Sequence, residues 1–224
     1  MAEMLRRKVL DLPGPRDLSD RLTPEDLLLR KLWWGFLEIS DSLQSLANLR
    51  TYVNRAPHSR SKLPQLSYLR MIIETYLNEQ YILSERLHSY ITVIERVYRK
   101  SDRALELKKE LNPLHASISA SFRIVNQVRG AHVHVTRYSD DNLDRLATLE
   151  ILSSEKLTSE SERKLFMRLF KLEYRSLRNK WSDSFKSNNI ALNGFFDHFF
   201  GVLLRVVFDQ QSRIIYPWDH KTIP

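Results

Sequence analysis

Residues 127–134 read Gln-Val-Arg-Gly-Ala-His-Val-His, placing Arg129, His132 and His134 close together in a chain that contains no cysteine. A histidine changes charge near neutral pH and can carry a proton in either direction. A guanidinium can hold a phosphate and stabilise charge that develops on it. Together they suffice for metal-independent RNA cleavage, because the ribose 2′-hydroxyl is an internal nucleophile. Geometry sets a condition on which residues can act together. On a continuous helix Arg129 and His132, three apart, share a face, whereas His134 lies about 140° further round. Gly130 therefore decides the pairing. If it ends or distorts the helix, Arg129 and His134 can converge; if the helix runs on, His132 is the better partner of Arg129.

Two other roles compete for the same residues. Arg129 could cap or pair at a helix end while the histidines pack or face solvent. His132 and His134 could instead hold a metal with Asp140 or Asp141, but His-x-His separates the two rings on a helix, and no carboxylate stands four residues beyond either histidine. No metal or cofactor is expected.

The elements that must position this cluster are helical. Thr23-Pro24-Glu25-Asp26 combines a capping hydroxyl, a proline at the first helical position and acids in the positive first turn. The spacing predicts a helix to about Tyr52, with Leu29, Leu32, Trp33, Phe36, Leu37, Leu43, Leu46 and Leu49 on one stripe. After the polar connection around Ala56–Ser61, a second helix runs from Pro64 to about Tyr98 without a breaker. Ser101-Asp102 opens the next segment. Asn112-Pro113 either kinks or divides it, and the apolar period resumes through Ile118, Phe122, Val125 and Val128 into the Arg129 cluster. Tyr138–Asn142 reads as a turn before a short helix carrying Leu143, Leu146, Leu149 and Ile151. Ser159-x-x-Glu162 is a capping box opening a helix to about Ser187, and Asn188-Asn189 is expected to separate it from a final apolar helix near Ala191–Phe208. Only Arg213–Tyr216 looks strand-like. The expectation is an all-α fold, an antiparallel bundle of long helices with additional C-terminal helices: an N-terminal extension over 1–22, a single helical domain over 23–211 and an irregular tail over 212–224.

The R-x4-H spacing of Arg129 and His134, on a helical and cysteine-free chain, resembles the HEPN superfamily. The resemblance implies a helical bundle and a metal-independent endoribonuclease of the kind found in toxin–antitoxin and phage-defence systems, usually a dimer that brings two motifs together. It makes Arg129 and His134 the catalytic pair, with His132 and Asn126 auxiliary. Gly130 departs from the pattern, since the family commonly has a polar residue directly after the arginine. The match covers about a dozen residues plus helical context.

Lys164, Arg168, Lys171, Arg175 and Arg178 recur at steps of four, three, four and three, a basic stripe along one helix whose other side carries Phe166, Phe170, Leu177, Trp181 and Phe185. Glu160–Lys186 holds eight Lys or Arg against four Asp or Glu, a balance of +4 and half of the chain's +8. Such a stripe can follow phosphates without reading sequence; equally, it can be a solvated face with pairs such as Glu160–Lys164. A second, interrupted basic region surrounds Ser101, from Arg96 to Lys109. Trp33-Trp34 with Phe36 is read as core or dimer contact rather than a base-stacking platform, because such platforms need exposed rings.

Composition bounds the rest. With 224 residues, 42% hydrophobic and 28% charged, the chain can bury a sizeable core. A pI near 9.7 favours polyanionic partners. The absence of cysteine excludes disulfides, thiolate zinc sites and cysteine nucleophiles. Ala191–Phe208 is interrupted by Asp197, His198 and Arg205, so a buried helix is expected there rather than a membrane span. Together with the resemblance, the expectation is a cytoplasmic endoribonuclease acting on RNA without membrane attachment, dimeric and open to an antitoxin or other protein partner. A non-catalytic helical dimerisation or interaction module, or a nucleic-acid-binding protein without chemistry, are the competing expectations.

Overall fold

The computed structural model describes residues 23–55, 64–132, 138, 140–154, 159–211 and 213–217. The fold is all-α. Among the described residues six helices follow in order: α1 Pro24–Val53, α2 Gln65–Tyr98, α3 Ala104–Ser121, α4 Arg123–His132, α5 Asp141–Ser154 and α6 Glu160–Val207.

The helix starts follow from local chemistry. At α1 the Thr23 hydroxyl accepts from the Asp26 N–H at 3.2 Å, and the Asp26 carboxylate accepts from the Thr23 N–H at 3.0 Å, so each satisfies a donor that the first turn leaves open. Ser159 and Glu162 repeat this at α6, with the Ser159 N–H donating to Glu162 at 2.8 Å and the Glu162 N–H to the Ser159 hydroxyl at 3.3 Å. Asp140 caps α5, accepting from the N–H groups of Asn142 and Leu143, both at 2.9 Å.

Two expected boundaries lie elsewhere. Asn188-Asn189 does not end a helix: α6 runs unbroken for 48 residues. Asparagine disfavours helix interiors because its amide competes for nearby backbone groups. Here the Asn189 amide is engaged by other helices, accepting from the Tyr76 hydroxyl at 3.0 Å and donating to the Leu46 carbonyl at 3.4 Å. The competitor is removed and the helix continues. Nor is the segment after Ser101 divided at Pro113, which sits inside α3. The division falls at Phe122, whose buried ring anchors the junction before α4.

The helices contribute to two compact units. The first comprises Met1–Leu43, Ile82–Arg123 and Leu192–Pro224; the second comprises Gln44–Tyr81 and Ile124–Ala191. In the first, α1 and α2 are antiparallel: Tyr90 donates to the Leu32 carbonyl at 2.9 Å, while Arg86, one turn earlier on α2, donates to the Glu38 carbonyl at 2.9 Å, further along α1. Its core is built from Leu32, Ile39, Leu87, Ile91, Ile118 and Phe199, and Leu203 is fully buried as well. The chain beyond α6 turns back through an isolated antiparallel bridge between Phe208 and Ile214. Ile214 is buried, and the Tyr98 hydroxyl donates to the Ile215 carbonyl. In the second unit Tyr76 stacks on Phe185 with ring centroids 3.7 Å apart, and Leu46, Leu69, Ile73, Leu143 and Leu146 are buried as well.

By length and composition α6 is long and apolar enough to cross a membrane, the one such helix among the described residues. Part of its apolar surface is core, since Phe199, Leu203 and Val207 have no exposure.

Candidate functional site

The Arg129 cluster begins on α4. Its backbone remains helical through Gly130 to His132, so glycine's conformational freedom is not used to break the helix at that point. By the helical period, positions 129 and 132 share a face of α4. His134 lies outside the described residues. Asn126, the expected auxiliary residue, is half-buried on the same helix.

The basic stripe occupies the N-terminal half of α6. Lys164, Arg168, Lys171 and Arg175 are exposed, and Arg178 is half-buried. Lys164 pairs with Glu160 at 2.6 Å, a contact between two well-exposed groups that contributes little. Arg168, Lys171 and Arg175 form no ion pair among the described residues, which leaves three cations on three consecutive turns available to phosphate. Alongside them Leu165, Leu169 and Leu172 are exposed at 53%, 37% and 64%.

A further cluster was not legible from the sequence. His88 on α2 and His115 on α3 lie side by side with their Nδ1 atoms 2.8 Å apart and ring planes within 10° of each other. His115 Nε2 is 3.6 Å from Glu95, and the Ser119 hydroxyl is 3.4 Å from His88 Nε2. One neutral proton arrangement fits these contacts: His88 donates from Nδ1 to His115 Nδ1, its Nε2 accepts from Ser119, and His115 carries its proton on Nε2, on the side of Glu95. Burial, followed by the neighbouring His115 charge, lowers the His88 pKa, with Glu85 acting in the opposite sense. The available signal was the i, i+7 spacing of His88 and Glu95, which places both on one face of α2; the partner histidine on another helix is a tertiary fact. Among the described residues no group of three or more His, Cys, Asp or Glu could hold a metal ion.

The first unit also contains an open cavity of about 620 Å³ between α1 and α2, whose lining includes Arg30, Lys31, Trp34, Gly35, Arg86 and Tyr90. Trp33 stacks with Phe36 at 5.9 Å, but Trp34 is 62% exposed. It does not join the apolar stripe, because it is one residue, about 100°, further round the helix. A smaller cavity of about 370 Å³ lies among Glu95, Arg96, Arg99 and Lys108, within the interrupted basic region.

Against this geometry, no family model, no curated protein and no solved structure matches the chain.

Proposed function

We propose that the protein is a HEPN-like, metal-independent endoribonuclease of the toxin or phage-defence kind, acting in the cytoplasm as a homodimer. Arg129 binds the scissile phosphate and stabilises its developing charge, and a histidine of the same segment, His132 or His134, moves the proton. The observation that carries this reading is the placement of Arg129 and His132 on one face of a helix that continues through Gly130. The exposed cations Arg168, Lys171 and Arg175 support it as a path for the RNA backbone, with Lys164 and Arg178 at its ends.

The test is RNA cleavage in excess chelator by wild type, Arg129→Ala, His132→Ala and His134→Ala. Loss of cleavage in Arg129→Ala and in one histidine variant, with the fold retained, is expected; which histidine is affected identifies the proton carrier. Absence of wild-type cleavage across diverse RNAs overturns the proposal.

A second reading, a helical interaction module without chemistry, is favoured by the exposed leucines 165, 169 and 172 on α6. It predicts that Leu169→Glu with Leu172→Glu abolishes self-association in sedimentation, while the histidine variants change nothing.

A further inference from the structure

The groove between α1 and α2 has features that neither cleavage nor core packing requires. Its floor is set by a close approach: a Cβ on Gly35 would overlap the Tyr90 ring, and the Tyr90 hydroxyl is held by the Leu32 carbonyl at 2.9 Å. Above this floor stands Trp34, 62% exposed and without a ring partner among the described residues. A large aromatic exposed beside a preformed groove offers a flat face on which a planar ligand can stack.

The rim carries the matching charges. Arg86 is half-buried and oriented through one terminal nitrogen, Nη1, which donates to the Glu38 carbonyl at 2.9 Å and the Ser42 hydroxyl at 2.5 Å. Its other terminal nitrogen keeps both of its donors. Lys31 is exposed and has no acidic partner among the described residues. Arg30 adds a third cation, against the acids Glu38 and Glu85. An exposed ring in a groove also lined by Lys31 and Arg86 offers a stacking face together with phosphate-binding cations.

We infer that this groove binds single-stranded RNA, with a base stacked on Trp34 and the flanking phosphates held by Lys31 and Arg86. The inference deepens the ribonuclease reading and rests on it for the identity of the polymer. Glu38 and Glu85 argue against an acidic peptide, which they would repel, whereas a nucleobase offers exocyclic N–H groups that a carboxylate accepts.

The experiment measures fluorescence anisotropy of a labelled, uncleavable 2′-O-methyl oligoadenylate of about 12 nucleotides, whose bases carry the exocyclic amino group, within the span of single-stranded sites, titrated with the full chain at low and moderate salt. Trp34→Ala is expected to weaken binding about tenfold, the scale of one lost base stack, and Trp34→Phe to restore most of it. Lys31→Glu is expected to weaken binding and to flatten its salt dependence. Because this oligonucleotide cannot be cleaved, the assay reads binding alone, and a failure of the cleavage reading is visible separately in the RNA-cleavage assay of the Arg129 and histidine variants. The inference is overturned if wild type does not bind the oligonucleotide at low salt. It is equally overturned if Trp34→Ala and Lys31→Glu, verified as folded by circular dichroism, bind within twofold of wild type, or if they lose binding of poly-glutamate rather than of RNA.

Discussion

At the scale of single residues, chemistry and packing make different demands on neighbouring positions. Gly35 is required by shape rather than by backbone freedom, since any Cβ there meets the Tyr90 ring. Alanine at an ordinary helical site is favourable relative to glycine; at this site the overlap reverses the sign. Gly35→Ala is expected to lower stability by about 1–3 kcal/mol, the range for overpacking, in urea denaturation followed by circular dichroism. The tyrosines behave as packed polar groups. Burial pushes the Tyr76 and Tyr98 hydroxyls up to about 12, so both remain neutral donors throughout the physiological range. The candidate catalytic residues were readable by type and spacing alone, because R-x4-H is a local pattern. The His88–His115 contact was not, because its two halves are far apart in sequence.

At the scale of elements, continuity depends on where polar side chains find partners. Asn189 is tolerated inside α6 because its amide bonds to Tyr76 and Leu46. Asn189→Ala should therefore destabilise by about 1–3 kcal/mol by removing the amide that joins Tyr76 to the Leu46 carbonyl, while Ser187→Ala, at an exposed position, should change stability by less than about 0.5 kcal/mol; paired chemical denaturation curves check both. The α2–α3 contact carries a pH dependence. The groups facing His88 are Glu85 from its own helix and His115 and Ser119 from α3, while Glu95 faces the far nitrogen of His115. Because the folded state holds the His88 pKa below its ordinary value of 6.5, the unfolded chain takes up the proton first. This contribution to stability is complete above pH 6.5 and is lost as the pH falls below it. The denaturation midpoint should decline on acidification through that window, and His88→Asn should flatten the decline. Helix starts were legible at Thr23, Asp140 and Ser159 because caps are local. The Asn188-Asn189 boundary was not, since the amide's partners are brought to it by other helices.

At the scale of the whole molecule, the excess of eight positive charges sets an expectation for polyanion binding that individual contacts refine. If the α6 stripe follows an RNA backbone, Arg168→Ala with Arg175→Ala should weaken RNA binding across unrelated sequences and reduce the slope of log affinity against log salt by about 1–2, one phosphate contact per residue; filter binding at several salt concentrations measures this. The sequence by itself determined the helical class, the long helices and their principal caps, because period and capping chemistry are carried by residues close together in the chain. Tertiary structure alone decided that α6 runs through its asparagine pair, that two distant histidines share a contact, and that Trp34 faces a groove while Trp33 turns to Phe36. Those outcomes depend on which side chains other helices deliver to a given spot, and no local pattern specifies that.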